Sequence, residues 1–141
     1  MRILALDPGS ARRGVAISDS DACLALPLEI LRRDLDDAWL QRLSEIIRER
    51  GVELLVVGMP LTMSGEIGPA AELTEALVAR LRGALPVPVV TWDERLSSAQ
   101  VERQMRDAGL SSRERRGTVD ASAAAVILQS YLDAHAKREE D

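Results

Sequence analysis

The stretch RILALDPGSARRGVAIS, residues 2–18, decides how the chain is read. Residues 3–6 form a short apolar run that ends at Asp7. Pro8, Gly9 and Ser10 supply turn chemistry, and residues 14–18 form a second apolar run. Two strands joined by a longish loop are the expected result. Residues 24–31 give a third strand, in which Pro27 favours an edge or bulged position because proline cannot donate to a ladder.

Beyond this meander the hydrophobic period changes from two to 3.6. Leu40, Leu43, Ile46 and Ile47 predict a helix over 36–50, closed by Gly51. The strand read over 53–57 is continuously apolar from Leu54 onward and is bounded by Gly58 and Pro60, as suits a parallel strand buried on both faces. A helix over 69–82, with Leu73, Leu77 and Leu81 in register, and a buried strand over 87–91 follow. Ser97 with Gln100 three residues on reads as a capping box opening a helix that stops near Gly109, and Ser111 with Glu114 repeats the pattern. The last helix, 119–134, carries Ala123, Val126, Ile127 and Tyr131 on one face. Ala124, Ala125 and Leu128 make most of its circumference apolar, so it should be well buried, with a charged, frayed tail over 137–141. Three meandering strands followed by αβαβ and helices give an α/β fold: a five-stranded mixed sheet flanked by helices, the element order of a ribonuclease H-like domain.

The 141 residues fit one domain, 1–141, and 46% hydrophobic content supports a real core. With 2% aromatic residues and no Phe, that core must be built from Leu, Val, Ile and Ala. No apolar run approaches the roughly 18 residues of a membrane span, and no secretory leader is seen, so the cytoplasm is the expected location. Cys23 is the single cysteine, which excludes an internal disulfide and a thiolate zinc site; it is expected to be a buried or half-buried small apolar residue. A net charge of −5 argues against a protein that coats nucleic acid nonspecifically. It leaves room for local contacts through Arg12–Arg13, Arg32–Arg33 and the cluster Arg113, Arg115 and Arg116, all of which also fit ordinary solvated surface.

Three acids stand at element ends. Asp7 closes the first strand, where open α/β sheets place their ligands, and Gly9 lets the backbone approach whatever it binds, although Asp-Pro-Gly is also an ordinary turn. Glu94 follows the fifth strand; with Asp93 and Arg95 it also fits a surface salt bridge. Asp120 stands in the first turn of the apolar last helix, where a negative charge is favoured and where burial would bring it toward the sheet. Converging carboxylates repel one another, and divalent cations resolve the conflict. Oxygen-only ligands suit Mg²⁺ or Mn²⁺, and a pair of such ions about 3.5–4 Å apart can activate water against a phosphodiester.

The chain resembles the YqgF family of Holliday junction resolvase-like proteins, relatives of ribonuclease H, in four blocks. These are Asp7-Pro8-Gly9-Ser10 with Arg12, Gly14, Val15 and Ala16; Val56-Val57-Gly58-Met59-Pro60-Leu61 with Met63 and Gly65; Asp93-Glu94-Arg95-Leu96-Ser97; and Val119-Asp120 with Ala123, Ala124, Ile127, Leu128, Tyr131 and Leu132. The resemblance implies a ribonuclease H-like nuclease needing divalent metal. It would process the 5′ end of pre-16S rRNA, cut branched DNA, or both. The implied catalytic and metal-binding acids are Asp7, Glu94 and Asp120, with Asp93 a substitute candidate for Glu94. Arg12, Arg95 and Ser97 are the implied substrate contacts. The implied partners are structured RNA or branched DNA, and junction resolution would call for a homodimer, for which the sequence shows no distinct face. Ala11 and Arg13 depart from the family's usual Lys and aliphatic residue.

The connection over 60–68 exceeds the usual span of about 2–6 residues and reads as a substrate-facing loop, using backbone N–H groups or Thr62 and Ser64; the alternative is a mobile surface loop. Trp92 either closes the core or stacks on a base, and His135 is expected at a solvated helix end. Two competing functions differ in class. A sugar-kinase or actin-like ATPase would need a second lobe that one such domain lacks. A non-catalytic nucleic-acid-binding or ribosome-assembly module would leave the acids without a purpose.

Overall fold

The computed structural model describes residues 1–9, 12–32, 37–98 and 122–140. Strands β1 (Arg2–Leu6), β2 (Arg12–Ser18), β3 (Ala25–Arg32), β4 (Val52–Met59) and β5 (Val89–Asp93) form one sheet in the order β3-β2-β1-β4-β5. β1, β2 and β3 pair antiparallel; β4 and β5 add in parallel. β3 is an edge strand with an irregularity opposite Val15 and Ala16, where Pro27 sits, as the proline required. The described helices are α1 (Ala38–Arg50), α2 (Pro69–Ala84) and α3 (Ser122–Glu140).

Strand alternation splits the apolar residues between two cores. On one face Leu4, Leu6, Val15, Ile17, Leu55, Val57 and Val89 pack against Trp39, Leu43, Ile46 and Ile47 of α1 and Val78 and Leu81 of α2. On the other, Ile3, Ala5, Ala16 and Val56 meet Ala123, Ala124, Ile127, Leu128 and Leu132 of α3. Alanine stands at four of these nine positions, two in the sheet and two in the helix, which lets α3 lie close to the strands there. It is also bonded toward both edges of the sheet: Gln129 accepts from the Ala25 N–H at 2.9 Å and donates to the Cys23 carbonyl at 3.0 Å, while Ser130 accepts from Trp92 Nε1 at 2.9 Å.

Several expected boundaries shift. β5 begins at Val89 rather than 87, because Pro88 has no N–H and joins the ladder only as an acceptor, its carbonyl receiving the Leu55 N–H. α3 runs to Glu140, beyond the expected stop at 134, through a segment without Gly or Pro. α2 buries Ala71, Thr74, Val78 and Leu81, while Leu73 is exposed. A spacing of four advances about 40° per step around a helix, so Leu77 drifts off the face centred on Leu81 and Leu73 leaves it. Cys23 is exposed rather than buried, because its turn is built on the Asp19 carboxylate, which accepts the N–H groups of Cys23 and Leu24. The helix expected over 97–109, the turn at Ser111, the Arg113, Arg115 and Arg116 cluster, and Asp120 lie outside the described residues.

α1 is pinned to the edge strand by Arg42, whose Nε and Nη2 each donate to a Glu29 oxygen at 2.8 Å. The Arg42 hydrogen bonds hold the Glu29 carboxyl below its ordinary range. A depressed carboxyl pKa adds stability above the unfolded-state pKa and loses it as pH falls through the folded value. Glu29→Gln should therefore lower the urea midpoint modestly at pH 7, and the gap from the parent should close below about pH 4. Urea titrations at the two pH values measure this; a gap that persists in acid would show that the pair contributes nothing through charge.

Candidate active site

Asp7 is the first residue past β1, yet the ladder continues through it: its N–H donates to the Gly14 carbonyl at 2.9 Å. Alternation places its side chain on the α3 face with Ile3 and Ala5, and the residue is 0% exposed. The chain then turns tightly, with the Gly9 N–H donating back to the Asp7 carbonyl at 2.8 Å. A Cβ on Gly9 would collide with the Arg12 carbonyl, which is why glycine stands there.

The register pairs Leu6 with Val57 and Gly58 with Trp92, so Gly58 lies between Asp7 and the end of β5. Asp7 is about one strand spacing, ~4.8 Å, from Gly58. Gly58 faces α3, and a Cβ there would stand 2.6 Å from Glu94 Oε1 and 2.6 Å from Ile127 Cδ1. The Glu94 side chain therefore lies over the bare backbone of Gly58, beneath α3, and is 0% exposed. The fold buries two carboxylates on one face, either side of a position that must lack a side chain. Apolar burial of like charges is costly unless they are paired or hold a cation, and an all-oxygen donor pair fits a hard divalent ion. Among the described residues no third His, Cys, Asp or Glu joins them.

Asp93 has a different place. Alternation turns it to the opposite face from Trp92, and Arg95 occupies both its oxygens: Nε at 3.1 Å from each and Nη2 at 2.7 Å from Oδ2. The Arg95 backbone N–H also donates to Oδ1 at 2.9 Å, so Asp93 caps the short 3-10 turn Glu94–Leu96. These bonds, that of the Arg95 side chain foremost, hold the Asp93 carboxyl below its usual range. Of the two neighbouring acids, only Glu94 shares a face with Asp7.

Ser97 closes the same turn, its N–H and Oγ both donating to the Glu94 carbonyl at 3.0 and 3.1 Å. Arg12 is exposed at the start of β2, on the α3 face of the sheet and at the same end as Asp7. Arg13 alternates to the other face, where it is buried with its guanidinium 4.2 Å from the Trp39 ring centroid; the family's aliphatic position is filled by a cation stacked on an indole. The structure thus gathers Asp7, Glu94 and Arg12 at one sheet end and sends Arg13 and Asp93 elsewhere.

The 60–68 loop is ordered by its own bonds. Thr62 N–H donates to the Glu66 carbonyl, Gly65 N–H to the Thr62 carbonyl, and Glu66 N–H to Thr62 Oγ1, which also lies 3.1 Å from Ser64 Oγ. The hydroxyls offered for substrate by the sequence are used inside the loop. Gly65, at φ +87°, takes the left-handed conformation that the turn needs. Met63, 85% exposed, forms the loop's apolar tip.

Two features were missed in the sequence. The apolar run before Pro60 marked Gly58 as a strand boundary, whereas β4 continues to Met59 and Gly58 is the floor of the site. His135 is half-buried rather than solvated, stacked on Tyr131 at 3.8 Å between centroids, with Tyr131 edge-on to Trp92 at 5.4 Å. The i, i+4 spacing of Tyr131 and His135 was the available signal.

Residues 1–134 match a family model described as RuvX, Holliday junction resolvase. A candidate pre-16S rRNA nuclease of Symbiobacterium thermophilum is 50% identical over 138 residues, covering 98% of this chain and 96% of the relative. Its counterpart in Desulforudis audaxviator is 46% identical over 133 residues, 94% of each chain. Among solved structures, T. thermophilus RuvC in complex with a Holliday junction substrate aligns with a TM-score of 0.55 at 17% identity over 96% of both chains, a likeness of fold that agrees with the ribonuclease H-like sheet. The match over residues 1–134 and the two full-length relatives carry one conclusion: this chain belongs to the RuvX (YqgF) family.

Proposed function

We propose that residues 1–141 form a single cytoplasmic nuclease domain that hydrolyses phosphodiester bonds with the help of Mg²⁺ or Mn²⁺, as a pair of ions. The observation that carries this reading is the burial of Asp7 and Glu94 on one face, flanking Gly58. Asp120, two residues before α3 in the sequence, is the third ligand in this reading. The bound ions would supply an activated water and neutralise charge on the phosphate. The chain's own part is positioning. The β1–β2 ladder fixes Asp7, the capped 3-10 turn fixes Glu94, and α3 keeps water from the inner side of both. Arg12, exposed at the rim, would meet a phosphate in this reading. No protein nucleophile is required.

The names of the relatives favour pre-16S rRNA as substrate, and the family description favours a branched DNA junction. No helix among the described residues is long and apolar enough to cross a membrane.

Cleavage of a 5′-extended 16S precursor fragment and of a four-way DNA junction, with Mg²⁺ or Mn²⁺ and with chelator, tests the reading and separates the substrates. Asp7→Asn and Glu94→Gln should each reduce metal-dependent cleavage on the order of 100-fold or more, since losing even an outer partner of a metal ligand costs 10–100-fold. Mn²⁺ should raise the Tm of the parent and not of Asp7→Asn, because a ligand stabilises only the state that binds it. Parental cleavage by either variant defeats the mechanism; a parent that binds RNA and never cuts it would be an assembly module.

Gly58→Ala is a second probe. The added methyl must displace both the Glu94 carboxylate and the Ile127 side chain. The expected outcome is a loss of cleavage at least tenfold, of the size seen for disturbed metal shells, in a protein that still melts cooperatively. Unchanged cleavage would remove Glu94 from the centre.

A further inference from the structure

Family resemblance makes Arg95 a phosphate contact, but its surroundings assign it other work. Resting on the nuclease reading above, we propose that Arg95 is a positioning residue, a strap that ties the 60–68 loop to the turn carrying Glu94.

Three sets of contacts converge on this side chain. The guanidinium forks onto Asp93, with Nε and Nη2 shared between the two oxygens at 2.7–3.1 Å. Its Nη1 reaches the Met63 carbonyl at 3.4 Å. Its Nη1, Nη2 and Cζ lie 3.0–3.3 Å from where a Cβ would stand on Gly65, so the guanidinium fills the space that the loop leaves bare there. Gly65 therefore serves both the turn and the strap.

The other end of the strap is the Glu94 turn. Asp93 accepts from the Arg95 backbone N–H and side chain together, so the acid that caps the turn is also clamped by a residue within it. Glu94 lies between them in sequence and faces the opposite side. Moving the Asp93–Arg95 pair must rotate the turn from which Glu94 projects over Gly58. An isolated pair at this exposure contributes little to global stability, so its consequence is local geometry rather than folding. A fork of several fixed donors is needed to hold both Asp93 oxygens and the Met63 carbonyl at once, which lysine cannot reproduce.

A phosphate contact and a strap predict opposite behaviour at Asp93. If Arg95 served phosphate, Asp93→Asn would release it and leave cleavage at least as fast, while Arg95→Gln would weaken binding and reduce the salt dependence of affinity by about one unit of slope. As a strap, Asp93→Asn, Arg95→Gln and Arg95→Lys all lower kcat about tenfold, the effect of disturbing an outer partner. The double variant Asp93→Asn/Arg95→Gln is then no worse than either single one, and KM and the salt slope stay at parental values.

The experiment measures kcat, KM and the salt slope of binding to the four-way junction and the 16S precursor fragment, together with hydrogen exchange at the Gly65 and Glu66 amides. Faster exchange at those amides in all three single variants is expected and does not depend on cleavage. Rescue by Arg95→Lys, a reduced salt slope in Arg95→Gln, or parental exchange in the loop would each overturn the strap. A parent that fails to cut either substrate while the exchange result holds would defeat the nuclease reading and leave the strap standing.

Discussion

The absence of a side chain at Gly58 is the constraint on which the site depends. It opens a space one residue wide between the end of β1 and the end of β5. Glu94 fills that space from above the sheet, and Ile127 of α3 closes it. Any larger residue would push the carboxylate or the helix away. The second core follows the same need. Ala5 and Ala16 in the sheet meet Ala123 and Ala124 in α3, letting the helix sit low enough to bury both acids.

The two faces of the sheet consequently do different work. The face covered by α1 and α2 is filled with Leu, Ile and Val from both layers and with Trp39, and each such buried side chain contributes roughly 1.5–3 kcal/mol. The face covered by α3 mixes Ile, Leu and Val with four alanines and also buries two carboxylates. Proteins accept such local costs where the site requires them. Arg13 shows the partition from the other direction: a cation adjacent in sequence to the site is drawn to the stabilising face by alternation and held there by Trp39.

Much of this was legible in the residues. The meander, the parallel strands over the apolar runs, the edge position of the Pro27 strand and the placement of Asp7 all follow from local rules, because period, proline chemistry and strand ends are local properties. Arg13, expected at a solvated surface, is instead buried on Trp39; its parity with Val15 and Ile17 was the available signal. The role of Gly58 was not legible. A glycine before a proline reads as a boundary, and only the register between β4 and β5, a pairing of residues about thirty apart, makes it a floor. The ground for preferring Glu94 over Asp93 was hidden for a similar reason. Both acids stand at one strand end, and it takes the packing of α3 to say which face is the site's. Cys23 misled because a small apolar side chain lost to the hydrogen-bonding demands of its turn.

Convergence itself comes from chain direction. β1, β4 and β5 run parallel, so Asp7, Gly58 and Glu94, far apart in sequence, finish at the same end of the sheet. β2 runs antiparallel to β1 and begins at that end, which brings Arg12 beside the Asp7 turn. Ligands of open α/β sheets collect outside the carboxyl ends of strands, where successive connections leave a crevice. Among the described residues, two segments stand at this end: the turn at Asp7–Gly9, closed by the Gly9 N–H donating to the Asp7 carbonyl, and the 60–68 loop, internally bonded and held through Arg95 to the strand beyond it. The exposed Met63 tip is thus carried by a loop whose backbone is tied both within itself and to Arg95.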